Sequence, residues 1–131
     1  MIVVVVIGIL AAIAIPNFVS LRHRAQEGSI KSNMHTVQLA LEDFGLQNDS
    51  QYPTSASSQL PDGRTLSQVL PTGTYPVNPF TKLPSVVQFN ANPTLGSKSE
   101  LGINPALTTN YLVKGNGPLG DTLVLVLTSG Q

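Results

Sequence analysis

The side chains able to catalyse a reaction or bind a metal are few in this sequence, and their spacing assembles no site. His23 and His35 are twelve positions apart, about 18 Å along a helix, so they cannot share a metal ion within one chain. Glu42 and Asp43 are adjacent and point about 100° apart around a helix, which makes a poor acid and base pair. Cysteine is absent. We therefore predict no catalytic residue, no bound metal and no cofactor.

One short pattern indicates covalent modification instead. The tripeptide Asn-Asp-Ser that begins at Asn48 satisfies the N-glycosylation pattern, so Asn48 is a candidate glycan acceptor. Serine and threonine are also abundant between positions 50 and 109, where charges are few. That composition would suit O-linked sugars on an outer surface.

The charge composition argues against nucleic acid as a partner. Among 131 residues there are 7 basic and 7 acidic side chains, and 11% of the residues are charged, against about 25% in soluble domains. A neutral balance argues against nucleic acid, because binding to a duplex normally needs a concentrated basic face. Residues 1–20 carry none of these charges. The elements that precede and follow position 20 must therefore lie in different surroundings.

Residues 1–15 form an apolar run in which Gly8 is the sole exception. Exposing these side chains to water would cost on the order of 20 to 35 kcal/mol, so the run must be covered by lipid or by protein. As a helix it spans roughly 22 Å of a bilayer core about 30 Å thick. Either residues 16–19 complete the span or further residues lie upstream of Met1. A cleaved signal peptide is disfavoured, because the helical pattern continues past Ser20 without a small-residue cleavage motif.

Two residues weaken this first helical segment. Pro16 removes one backbone donor and crowds the carbonyl of Ala12, at a cost of about 3 kcal/mol, and Gly8 adds about 1 kcal/mol relative to alanine. The simplest interpretation is a kink of the kind that membrane helices tolerate.

A stripe of apolar residues continues the helix beyond the apolar run. Its members are spaced 4, 3, 4 and 3 apart, which places them on one face: Ile30, Met34, Val37, Leu41 and Phe44. The segment "NDSQYP" contains the stop signals that end the helix near Gln47. We expect this stripe to pack against one partner surface, namely a sheet.

The remaining sequence predicts loops and then strands. Residues 49–84 are rich in proline, serine and threonine, with a possible short helix at 65–70 and three aromatic anchors, Tyr52, Tyr75 and Phe80. Strand signals follow at 85–89, 110–114 and 122–128, and "GNGPLGD" joins the last two as an antiparallel hairpin. The last strand is apolar on both faces, so the face away from the helix needs cover from the proline-rich loop or from a neighbouring subunit.

Five features occur together in this chain: the opening "GILAAIAIPNF", the basic patch after it, the striped helix, "YP" and the terminal hairpin. In this combination the chain resembles the type IV pilins and the related pseudopilins of type II secretion. The resemblance implies an α+β, ladle-shaped fold in which a long amino-terminal helix packs on a small antiparallel β-sheet. We divide the chain accordingly into an apolar helix half (1–19), an amphipathic helix half (20–48), a loop region (49–84) and a sheet region (85–131), with 20–131 forming one globular domain.

The resemblance implies a structural, non-enzymatic subunit whose apolar helices bundle into a helical filament. Its partners would be identical subunits, inner-membrane lipid before assembly, and the pilus or secretion machinery; adhesion, motility or DNA uptake would belong to the filament. Gly8 and Pro16 would then allow residues 9–16 to unwind when subunits leave the bilayer. The expected filament-core contacts are Ile7, Ile9, Leu10, Ile13, Ile15 and Phe18. The family's leader, its cleavage site and the glutamate after that site would lie upstream of Met1.

Charged residues follow the apolar run directly. We expect Arg22 and Arg24 to contact lipid headgroups before assembly and to pair afterwards with Glu27 or with acids of adjacent subunits; the alternative is a solvated cap. Taken alone, this basic cluster would hold the domain in the cytoplasm, and the leader of the family would bring further basic residues that reverse that orientation. The resemblance places the protein in the inner membrane and then in an extracellular filament.

Two alternatives stay open. A major pseudopilin would form a short periplasmic filament, and such proteins often bind calcium in their carboxy-terminal loops. Here Glu100 and Asp121 are the acids that follow Asp62, which is few for a shell of six to eight oxygens. The second alternative is a monomeric binding domain tethered by its first helix, which predicts a pocket with convergent polar groups.

Overall fold

The computed structural model describes residues 1–107 and 109–130, without the side chains of 105–107. The fold is α+β, as predicted: one long helix packs on a small sheet. The elements in chain order are α1 (Ile2–Gln47), α2 (Leu66–Val69), β1 (Val87–Phe89), β2 (Leu101–Leu107), β3 (Asn110–Asn116) and β4 (Thr122–Thr128).

Helix α1 runs without interruption through Pro16 and ends at Gln47, where the sequence predicts its end. The amide of Asn48 reaches back to the carbonyl of Gly45 (3.2 Å), and Asp49 and Ser50 then adopt positive φ angles of 51° and 62°. Asn and Asp tolerate this left-handed region better than most residues, and Ser50 completes the turn away from the helix axis. The chain is thereby directed toward the loop region instead of extending the helix.

The sheet has the strand order β1-β2-β3-β4 and is mixed. Strands β2, β3 and β4 are antiparallel neighbours, and the predicted hairpin is present as β3 and β4. The expectation of a purely antiparallel sheet was wrong for β1, which pairs in parallel with β2, Val87 lying opposite Leu101. The reason is that residues 90–100 carry the chain back to the end of the sheet where β1 began, so both strands start there.

Strand β2 was not predicted from the sequence. Its residues, LGINPAL, contain a glycine and a proline, both of which are depleted in strands. The pairing with β3 shifts register between Asn104 and Leu107, where the sequence has a proline that cannot donate a ladder hydrogen bond. Gly102 fits because the backbone passes closely: an added Cβ would lie 2.6 Å from the Ala91 carbonyl oxygen. Packing between neighbouring segments therefore overrides the weak strand preference of this sequence.

The hydrophobic core lies between α1 and the sheet. All five residues of the helical stripe are fully buried there. The sheet contributes Leu101, Ile103, Tyr111, Val113, Leu123 and Leu127, and the loop region contributes Leu60, Leu66 and Leu70. Tyr52, Tyr75 and Phe80 pack partly buried against this core. The loop region is consequently anchored to the core despite its proline content.

The outer face of β4 stays uncovered within one copy of the chain. Leu123 and Leu127 point into the core, whereas Val124 is 99% exposed and Val126 37%. β4 is also an edge strand, because it ends the order β1-β2-β3-β4. The sequence allowed two covers for this face, the proline-rich loop and a neighbouring subunit. The proline-rich loop does not cover Val124.

Replacing Gly120 by alanine is expected to destabilise the domain by about 2 to 5 kcal/mol, because the new Cβ meets both a strained backbone and a steric clash. Gly120 has a φ of 79°, and an added Cβ would lie 2.7 Å from the Cα of Gly96. Gly73→Ala is the matched control, since its φ of 69° is similar and no atom lies within 4 Å. Urea unfolding in detergent should show a much larger loss for Gly120→Ala; equal losses would contradict the clash.

Candidate functional site

Residues 1–19, which include the start of α1, extend beyond the globular part as an exposed apolar rod. The six residues expected to form filament contacts, Ile7, Ile9, Leu10, Ile13, Ile15 and Phe18, are each 58% to 68% exposed. By length and composition the helix is able to cross a membrane, a test that the core helix of a soluble protein or a signal sequence would also pass. This rod is the apolar surface that requires cover.

Gly8 and Pro16 lie within this rod. An alanine-sized side chain at Gly8 would meet no atom within 4 Å, so no close packing inside one copy requires the glycine. Pro16 lies inside α1, and the helix continues on both sides of it. In a single copy, the lost hydrogen bond at Pro16 therefore weakens the rod locally without ending it.

One of the charged residues that follow the rod, Glu27, forms an ion pair within a single copy. The Glu27 carboxylate forms an ion pair with the ammonium group of Lys31, one helical turn later, and Lys31 Nζ lies 2.7 Å from Glu27 Oε1. Both side chains are well exposed, so this pair contributes little to stability. Within residues 1–107 and 109–130, Arg22 and Arg24 form no ion pair. Their charges stay available to groups outside the copy.

The face of α1 opposite the buried stripe carries three exposed leucines, and sequence reasoning missed it. Leu39 and Leu46 are 71% and 83% exposed there, and Leu21 is 62% exposed. We call this surface the back face of α1 and define it by positions that recur at intervals of three, four or seven: Leu21, Ala25, Gly28, Ser32, His35, Leu39 and Leu46. The same spacing is readable in the sequence, but the stronger stripe of the core masks it.

Glu42 connects three parts of the fold, a role that the sequence did not indicate. Tyr111 on β3 donates its hydroxyl to one carboxylate oxygen at 2.5 Å, and Tyr52 of the loop region donates to the other at 3.1 Å. The two rings pack edge to face with centroids 4.7 Å apart. These partners are 69 and 10 positions from Glu42, so only the folded chain brings them together.

The tyrosines of this cluster predict a stability loss in alkali. Burial, and then the Glu42 carboxylate, raise the pKa of Tyr111 well above the usual 10.0, and the same two causes raise that of Tyr52. Folding therefore favours the protonated phenols, a contribution that is complete below about pH 10 and is lost as the pH rises above that value. We expect Tyr111→Phe to cost roughly 1.5 to 3 kcal/mol at pH 8.

The cost of Tyr111→Phe should shrink above pH 10, because the parent protein loses the same contribution there. Urea midpoints of the two proteins measured from pH 8 to pH 12 test this expectation. Curves that remain parallel across the whole range would show that the Tyr111 hydroxyl has no such role.

A cleft of about 490 Å³ lies between the 78–81 and 94–100 segments, and Val86 and Gln88 also line it. Its lining includes Glu100, only 5% exposed, which accepts a hydrogen bond from the Thr94 hydroxyl at 3.2 Å. Lys98 lies 6.0 Å from the centre of the Phe80 ring at the same cleft. Within the described ranges, no three His, Asp or Glu side chains come together as metal ligands. Thr94 and Glu100 thus bring one hydroxyl and one carboxylate into contact in the cleft, and none of the residues that line it is a histidine.

Asn48, the candidate glycan acceptor, lies at the end of α1. Its side-chain amide donates to the Gln51 carbonyl at 3.1 Å, and the residue is half-buried. A glycan on this nitrogen would replace one of its two hydrogens and leave the other to donate to Gln51. Glycosylation at Asn48 stays a prediction.

Comparison with known proteins adds one similarity in sequence. A segment of 49 residues is 45% identical to the type IV major pilin protein PilA of Myxococcus xanthus (strain DK1622), and it covers 37% of this chain and 22% of that protein. The chain thus matches about a fifth of the length of its curated relative. No family model and no solved structure matches the chain. The chain is thus similar in sequence to part of a type IV major pilin, and its long apolar helix packed on a small mixed sheet is consistent with the pilin fold.

Proposed function

We propose that the protein is the structural subunit of an extracellular type IV pilus-like filament, held together by bundling of the apolar helix halves. The observation that carries this proposal is the exposed rod of residues 1–19 on an otherwise well-packed domain. Bundling removes each rod from water. This matters because exposing the rod to water would cost more free energy than the net stability of a whole domain. The similarity to a major pilin supports the same function.

The proposal has consequences for location and partners. Before assembly the rod lies in the inner membrane, and Arg22 and Arg24 contact lipid headgroups; after assembly, copies of the chain replace lipid around it. The partners are thus identical subunits and the assembly machinery. Adhesion, motility or DNA uptake then belongs to the filament, and the subunit has no catalytic role.

Electron microscopy of material sheared from cells that produce the full chain tests this proposal. Long fibres that contain the chain are the expected result. Short periplasmic stubs would instead favour a pseudopilus. A protein that stays a monodisperse monomer in plain buffer, without detergent, would contradict bundling altogether.

We also propose that residues 9–16 unwind when the subunit leaves the bilayer. The lost backbone donor of Pro16 and the flexibility of Gly8 make this the segment of the rod that opens at least cost. Unwinding lengthens the rod and lets neighbouring rods pack. A filament map that shows continuous helical hydrogen bonding through Ala12 and Ile13 would contradict the idea.

A further inference from the structure

Basic side chains from three segments of the chain meet where the rod joins the globular part. Two neighbouring clefts, of about 280 and 310 Å³, share Arg22, Gln26 and Phe80 in their linings. Lys98 also lines the first cleft, and Lys82 lines the second. We call this surface the basic cleft and define it by the three cations, Arg22, Lys82 and Lys98, around Phe80. Folding thus brings together charges that are far apart in the sequence.

No carboxylate lines the basic cleft to balance these charges. In the part of the chain that the structure describes, Arg22, Lys82 and Lys98 form no ion pair. Glu100 lines the adjoining cleft, but it is only 5% exposed and accepts its hydrogen bond from Thr94. A group of exposed, unpaired cations attracts an anionic group, which the basic cleft therefore favours.

Exposed apolar side chains adjoin the same cations. Phe18 and Val19, at the end of the rod, line the first cleft together with Leu119 from the turn between β3 and β4. Phe18 is 68% exposed and Leu119 is 77% exposed. A small inorganic anion gains nothing from such neighbours, whereas a phospholipid carries its anionic headgroup directly above its acyl chains. The combination indicates a ligand that is itself both anionic and apolar.

The basic cleft lies at the depth of lipid headgroups if the rod crosses a bilayer. Residues 1–19 span about 28 Å of a hydrocarbon core about 30 Å thick. Arg22 follows Val19 by three positions, about 4.5 Å along the helix, and the headgroup layer extends roughly 5 to 8 Å beyond the core. Lys82 and Lys98 line the same clefts as Arg22, so they reach that layer as well.

We propose, on the basis of the proposed function, that the basic cleft binds the headgroup of an anionic phospholipid while the subunit is held in the bilayer. The three cations surround the phosphate, the acyl chains lie along the rod, and Leu119 enters the interface beside them. The other flank of the rod end has a cleft lined by the carboxylates of Glu27 and Asp121, which disfavour the same lipid. Bound lipid therefore holds one flank of the domain against the membrane until assembly removes it.

Quenching of a single tryptophan tests this site, because the chain contains none. Leu119→Trp places an indole beside the basic cleft and keeps an exposed apolar side chain there. The full chain is reconstituted in phosphatidylcholine vesicles in which about one lipid in five is phosphatidylglycerol. Bromine atoms, which quench indole on contact, are carried either by the phosphatidylglycerol or by an equal amount of the phosphatidylcholine. We expect roughly threefold more quenching from brominated phosphatidylglycerol.

Removing the two lysines of the site should abolish this preference. In the Leu119→Trp protein, Lys82→Gln combined with Lys98→Gln should make the two brominated lipids quench equally, since each basic side chain near an anionic surface changes affinity about fivefold. Lys31→Gln combined with Lys114→Gln is the matched control, because it removes two charges that lie outside the basic cleft. It should keep the preference. Urea unfolding checks that both double variants are folded.

Equal quenching by the two lipids before the lysines are changed would overturn the lipid site, as would a preference that both double variants keep or both lose. Inorganic phosphate that removes the preference at constant ionic strength would also overturn it, by showing that the cleft takes a free anion. The yield of sheared filaments from the same cells tests the proposed function separately. Filaments without lipid preference would contradict the site alone, whereas a chain that makes no filaments would contradict the proposed function.

Discussion

Replacing Phe44 by alanine is expected to lower the free energy of unfolding of the globular part by about 3 to 5 kcal/mol. Phe44 is the last residue of the helical stripe and has no exposed surface. Its removal leaves a cavity in a core that is closed by the sheet on one side and by loop leucines on another. Because whole domains are stable by only about 5 to 15 kcal/mol, this one change removes a large part of the total.

Urea unfolding in detergent, followed by circular dichroism, measures the effect of Phe44→Ala. Leu46→Ala is the matched control, because Leu46 lies two positions away on the same helix but is 83% exposed. It should change stability by less than about 0.5 kcal/mol. Similar losses for the two variants would mean that the stripe does not determine how α1 packs on the sheet.

Replacing Ile9 by lysine is expected to abolish filaments while leaving the domain folded. Ile9 is 58% exposed in one copy and takes no part in the core, so folding does not depend on it. Placing a lysine at the centre of a helix in a bilayer costs about 2.5 to 3.5 kcal/mol of insertion free energy. In a bundle, every copy would bury such a charge. The change thus acts on assembly and membrane retention alone.

The readout for Ile9→Lys is the amount of sheared filament per cell, compared with that of Ile9→Leu, which keeps the apolar volume. Urea unfolding of the purified variant should match that of the parent protein. Normal filament yield from Ile9→Lys would show that the rod is not buried in the assembly. A loss of stability would show instead that the rod also supports the domain.

Features with a clear period were readable from the sequence. The 4, 3, 4, 3 spacing of the stripe identifies one helix face, and those residues are fully buried. The glycine-rich turn between the last two strand signals indicates a hairpin, and β3 and β4 form it. Both depend on local spacing, which the sequence shows directly.

Features that depend on distant segments were not readable. Strand β2 exists because neighbouring strands hold a stretch with poor strand preference, and its parallel pairing with β1 follows from the path of residues 90–100. The contacts of Glu42 with Tyr52 and Tyr111 need the complete fold. The back face escaped notice for another reason: a strong core stripe on the same helix conceals a weaker one opposite.

The uninterrupted course of α1 has a mechanical consequence. The helix of 46 residues belongs both to the rod and to the core, and beyond Pro16 it continues into the core without a loop. Tension applied to a filament of such subunits would first extend the proposed unwound segment, residues 9–16, and would then pass along the remaining helix into the interior of each domain. Such a fibre would resist stretching by the strength of its cores, whereas a tethered domain would simply swing on its linker.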